Sequence, residues 1–98
     1  MAEIRLKSEQ SDKAVAVLRD ALKTEEKRLA YALEIGQRRL AAFEKKYGIS
    51  TEKFISEWTA EDLQGRDVEY VEWAGEFKLS IKTKDRLALL RGIEYVAQ

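Results

Sequence analysis

Apolar and small residues recur at three- and four-residue intervals from Val15 to Tyr47, and no proline interrupts them. Val15, Leu18, Leu22, Leu29, Ala32, Gly36 and Phe43 fall on one stripe of a 3.6-residue helix, with Leu33, Leu40 and Tyr47 beside it. The pattern predicts one long helix over residues 11–46, about 54 Å from end to end at the usual rise per residue. Glu25 and Arg39 interrupt the stripe, so it is not a clean coiled-coil seam. Ser11 or Asp12 is placed to cap the start. Lys45 and Lys46 complement the helix dipole in the last turn, and Gly48 is a stop signal.

A helix with one apolar stripe needs a second element along its length. Ser50 and Thr51 open a short helix over residues 51–58, with Phe54, Ile55 and Trp58 facing inward. Ile49, just before that cap, is placed to pack on Phe54 as a hydrophobic staple. Thr59 and Asp62 resemble a further cap, and Gly65 ends that turn, so short helices are expected within 51–64. Residues 67–92 carry two competing signals. Tyr70, Trp73, Ala74, Phe77, Ile81, Lys84, Leu87, Ala88 and Arg91 follow a helical period, with Lys84 and Arg91 as misfits. Residues 77–83 also alternate apolar and polar like a strand. The only possible mate is the stretch Ile4 to Lys7, and a two-stranded ribbon is marginal in water. The helix is therefore preferred. The expected architecture is a single all-α domain over residues 1–98: a long antiparallel helical hairpin with a short connecting helix. Gly36 and Gly75 would then lie at the same level, either letting the two helices approach closely or standing as tolerated surface glycines.

Composition narrows the chemistry. The chain has 98 residues and lacks cysteine, histidine and proline. Without cysteine there is no disulfide, zinc knuckle or thiol nucleophile. Without histidine the commonest metal ligand and general base are missing. Glu69, Glu72 and Glu76 have no histidine to complete a di-metal carboxylate pattern. No catalytic residue, metal ligand or cofactor-binding residue is assigned, no cofactor is expected, and the chain is read as a non-enzyme. The longest apolar run, Ala14 to Leu18, is far short of the ~20 residues that span a bilayer. Charged residues at Glu3, Arg5, Lys7 and Glu9 do not resemble a signal peptide, so a cytoplasmic location away from membranes is expected.

Net charge is zero but unevenly spread. Residues 51–75 hold seven acidic and two basic side chains, between two mildly basic ends. Within this stretch acids interleave with aromatics: Glu57, Trp58, Glu61, Asp62, Glu69, Tyr70, Glu72 and Trp73. These are candidate contacts for a basic protein partner, because charge complementarity steers encounter and Trp and Tyr anchor interfaces. The bland reading is a solvated helix face with its aromatics in the core. Arg38, Arg39, Lys45 and Lys46, and again Lys78, Lys82, Lys84 and Arg86, form basic clusters. The pI near 6.4 and the lack of a helix-turn-helix weaken a nucleic-acid reading. The longer helix also outruns its mate. Val15, Leu18 and Leu22 at its free end would leave an apolar patch, which predicts a homodimer in a four-helix arrangement or a contact with another protein.

The stretch from Phe43 to Phe54, FEKKYGISTEKF, followed by an acidic segment and Trp73-Ala74-Gly75-Glu76-Phe77, resembles a family of small prokaryotic helical proteins. Some members are similar to antitoxin partners of small toxins. The resemblance covers residues 20–92 and rests on a cap, a staple and a Trp-containing helix start. It implies an antitoxin-like binder and favours helix over strand at 77–83. It carries no catalytic motif. The expected function is a protein–protein interaction module. Two alternatives stand beside it: a nucleic-acid-associated helical protein using the basic clusters, and a self-assembling structural hairpin.

Overall fold

A computed structural model describes residues 2–57 and 68–95. Helix α1 runs Ser11–Tyr47, α2 Thr51–Glu57 and α3 Val68–Arg91, and there is no strand among the described residues. Residues 77–83 are helical, as the period of α3 requires. The expected short helix at 59–64, with its cap at Thr59, lies outside the described residues.

The helix ends follow local chemistry, with one correction. Neither Ser11 nor Asp12 caps α1. The N-cap is Gln10, which offers no side-chain hydrogen bond, and its own N–H donates to Ser8 Oγ at 3.2 Å. Ser11 and Asp12 already lie within the helix, where Asp12 supplies negative charge to the first turn. At the other end Gly48 adopts φ 67° and ψ 29°, and its N–H donates to the Glu44 carbonyl at 2.8 Å. This left-handed closure turns the chain sharply into α2. Ser50 then caps α2, its Oγ accepting from the Lys53 N–H at 3.2 Å. The Glu44 carboxylate accepts from the Thr51 N–H at 2.6 Å, so α1 satisfies a second free donor of α2. No atom lies within 4 Å of a Cβ built on Gly48. Gly48→Ala is thus expected to cost about 1–2 kcal/mol through backbone strain alone. Urea denaturation should show a lower midpoint with an unchanged m value.

From α2 the chain returns as α3, antiparallel to α1. Lys46 pairs with Glu69 at 2.6 Å near the closed end, and Arg39 with Glu76 at 3.5 Å further along. The Arg19 guanidinium lies 4.3 Å from the centre of the Tyr95 ring at the open end. The molecule measures 57 × 23 × 21 Å, one long helix in length and about two helix diameters across.

The core concentrates at the closed end. Trp73 is fully buried. Its ring lies 4.0 Å from that of Phe54, almost parallel, with Phe43 and Tyr47 stacked at 5.5 and 5.6 Å. The indole N–H donates to Thr51 Oγ1 at 3.0 Å, which satisfies the polar end of the ring inside the core. Leu40, Ile49, Ile55 and Tyr70 close around this cluster, so Ile49 joins the group around Phe54 as expected of the staple. Toward the open end, among the described residues, Leu29 on α1 and Leu87 on α3 are the buried apolar side chains.

The buried face of α3 differs from the expected one. Lys84, Ala88 and Arg91 are exposed, and Ile81 is nearly half exposed. Leu87 is buried as expected, and Ser80, Thr83 and Leu90 turn inward beside it. The Thr83 hydroxyl donates to the Leu79 carbonyl at 2.8 Å. That bond within the helix lets a polar residue lie buried beside α1. The charged misfits of the predicted stripe thus sit in solvent. Ala32 is likewise exposed on α1.

Of the two glycines expected at a close approach, only Gly36 is buried. A Cβ there would lie 3.0 Å from Glu76 Oε1. Gly75 is exposed and faces open space, so nothing in its own chain demands a glycine.

Candidate interaction surface

The acidic aromatic segment does not act as one surface. Its described members divide between holding the hairpin together and facing solvent. Glu69 is a structural acid: both of its carboxylate oxygens accept from Lys46 Nζ at 2.6 Å, and one also accepts from the Tyr47 hydroxyl. Trp73 is core, with no exposed ring for a partner, and Tyr70 is half-buried, edge-on to Tyr47 at 5.3 Å. Trp73 is therefore withdrawn as a surface anchor, because its area is already spent on Phe43, Tyr47 and Phe54. Glu57 is exposed, 4.0 Å from Lys53, and Glu72 is exposed on α3. Trp58, Glu61 and Asp62 lie outside the described residues.

Hydrogen bonding by the Lys46 ammonium, then by the Tyr47 hydroxyl, holds the Glu69 carboxyl below its ordinary value. A carboxyl depressed on folding stabilises the native state above its unfolded value. That contribution is lost as pH falls through the lower, folded value. Wild type should therefore melt above Glu69→Gln at neutral pH, and the difference should close on acidification. A gap independent of pH would mean that charge is not its source.

The candidate tip residues are less bare than expected. Leu18 and Leu22 are half-buried, while Val15 is 41% exposed and Val17 more so. Ile4 and Leu6, ahead of α1, are also exposed, and a further apolar display lies on α3. There Val68 is 73% exposed, Leu79 57% and Leu89 75%. Tyr31 on α1 is also exposed. A groove of about 600 Å³ runs between the two long helices, floored by Ala42, Phe43, Gly75 and Leu79. Arg39, Lys46, Glu72 and Glu76 rim it. Sequence reasoning missed this face because the stripe through Trp73 dominates α3. The overlooked signal was present as Val68, Gly75 and Leu79, set at multiples of three and four residues.

The basic clusters are partly spent. Arg38 pairs with Glu34 at 2.6 Å, as its i,i+4 spacing suggested, and Arg39 with Glu76. Lys78, Lys82, Lys84 and Arg86 remain exposed along α3. Among the described residues no three acidic, histidine or cysteine side chains converge as a cation site would need. Nor is any helix among them long and apolar enough to cross a membrane.

The surface is large for the mass. The chain exposes 8326 Å², whereas a compact monomer of this size exposes about 5,700 Å². Its radius of gyration is 19.1 Å, against about 12.6 Å for a compact domain of equal length. Comparison with known proteins adds no relative: no protein family, no curated protein and no solved structure matches the chain.

Proposed function

We propose that this chain is a non-enzymatic, cytoplasmic protein–protein interaction module, antitoxin-like in that it acts by holding a protein partner. The observation that carries this reading is the groove between the two long helices, lined by Ala42, Phe43, Gly75 and Leu79 together with the charged Arg39, Lys46, Glu72 and Glu76, in a chain whose total exposed surface is large for its mass. Groove-shaped apolar surfaces take an amphipathic helix, whose anchors recur every third and fourth residue. Glu57 and Glu72 remain available to a basic partner. Glu61 and Asp62 extend that acidic set in sequence, with Trp58 beside it. Val15, together with Val17, offers a second contact at the open end, where homodimerisation into a four-helix arrangement would cover it.

The test is a binding assay with the product of the adjacent reading frame, run beside sedimentation of the chain alone. Leu79→Lys, at an exposed site, should preserve helicity and weaken association by about tenfold or more, equivalent to at least 1.4 kcal/mol. Undiminished association in that variant would remove the groove from the interface. A chain that binds no protein and stays monomeric at high concentration would refute the module reading. The second reading, nucleic-acid association, is favoured by the exposed run Lys78, Lys82, Lys84 and Arg86. It would show as duplex binding that weakens steeply with salt.

A further inference from the structure

We propose that a second copy of this chain docks antiparallel along the outer face of α3, with Leu79 of each copy seated on Gly75 of the other. This builds on the reading of the chain as an interaction module and names its partner. Val68, Glu72, Gly75, Leu79, Lys82, Arg86 and Leu89 follow one another at alternating steps of four and three, and all seven are exposed. Such spacing sets them on one face of the helix, with Val68, Leu79 and Leu89 as its apolar members. The inner face of α3 is already occupied by α1; Glu72, Gly75 and Leu79 border the groove shared with that helix and Arg86 lies in the field of Glu25 on it, while Val68, Lys82 and Leu89 are exposed along the row.

The order of residues along this row is self-complementary on reversal. When Leu79 lies level with Gly75 of an antiparallel copy, Glu72 lies level with Lys82. The two-fold axis makes each contact twice, as an isologous interface requires. Within the described structure neither Glu72 nor Lys82 belongs to an ion pair.

Gly75 supplies the second argument. A glycine within a helix costs about 1 kcal/mol relative to alanine. A Cβ at this position would meet nothing of its own chain within 4 Å. Its lack of a side chain gains a physical reason when another backbone comes close. The adjoining groove, with Ala42 and Phe43 beside Gly75, is large enough to receive a leucine side chain.

Area and charge agree. A standard interface removes about 800 Å² from each partner. That lies well inside the surface excess of about 2,600 Å² over a compact monomer. The net charge of zero sets no repulsion between copies.

The experiment is sedimentation equilibrium on the full chain and four variants, with helicity followed by circular dichroism. Wild type should dimerise. Glu72→Lys and Lys82→Glu should each weaken the dimer about tenfold or more, and the double exchange should restore it. Gly75→Gln should raise helicity yet weaken the dimer, a combination that a purely structural role for Gly75 would not produce. Leu79→Lys should give a folded monomer. A wild type that stays monomeric overturns the proposal. So does a dimer indifferent to Gly75→Gln and Leu79→Lys, which would place the contact elsewhere. Failure of the double exchange to restore pairing overturns the antiparallel register. If wild type is monomeric but binds another protein in a Leu79-dependent way, the self-docking fails while the module reading stands. If it binds no protein at all, both fail.

Discussion

Trp73→Ala should lose most of its helical signal at room temperature. Trp73 is fully exposed to neighbours and not at all to water, stacking on Phe54, Phe43 and Tyr47 while its N–H donates to Thr51. Truncating a buried tryptophan costs about 3–5 kcal/mol. Small domains hold about 5–15 kcal/mol in total. This chain has few other buried apolar side chains, so its reserve lies at the low end. Trp73→Phe separates the two contributions: the stack is largely kept and the hydrogen bond to Thr51 is lost, so the penalty should be near 1–2 kcal/mol. Circular dichroism during urea titration would read both. If Trp73→Ala melted within a degree or two of wild type, the aromatic cluster would not be what holds α2 and α3 to α1.

Leu87→Ala should also be costly, but local. Leu29 and Leu87 are the buried apolar pair toward the open end, accompanied by the polar Thr83. Removing a buried leucine side chain costs about 2–5 kcal/mol. The aromatic cluster lies at the other end of the hairpin and shares no ring contact with Leu87. The loss should therefore appear as opening of one end, since local stability varies along a structure. Native-state hydrogen exchange should lose protection over residues 80–91 and keep it over residues 70–77. Equal loss in both windows would show that the hairpin opens as one cooperative unit.

Much of the fold could be read without coordinates. The proline-free stripe from Val15 to Tyr47 specifies a long helix because no other regular structure repeats at that period. Gly48 stops it because only glycine adopts a left-handed backbone at little cost, and its φ of 67° bears this out. The rotation of α3 over its later turns was not legible. The stripe through Ile81, Lys84, Leu87 and Ala88 and the row through Ser80, Thr83, Leu87 and Leu90 share Leu87 and fit a helical period almost equally well. The row that turns inward buries Thr83, whose hydroxyl is satisfied at the Leu79 carbonyl within the helix itself and so needs no partner on α1.

The candidate surface shows the same division. The sequence correctly marked the stretch from Glu57 to Trp73 as unusual in composition. It could not tell that Glu69 is tied to Lys46 and Tyr47, or that Trp73 is sealed against Phe54, because those contacts join residues some twenty positions apart. The outer row of α3 was present in the residue order from Val68 to Leu89. The stripe through Tyr70, Trp73 and Ala74 was expected to face inward and does; which residues of the later turns would follow it was not legible.

Local chemistry in the chain by itself thus determined the long first helix, where the helices turn, and which catalytic side chains the sequence lacks, since each depends on residue type and near-neighbour spacing; residues 77–83 carried both helix and strand signals. Only the tertiary structure decided which residues of the later turns of α3 are covered, which acids are bound within the hairpin and where apolar surface remains in water. Those outcomes depend on how two rods rotate against each other, and side-chain fit across the interface, not periodicity along either helix, sets that rotation.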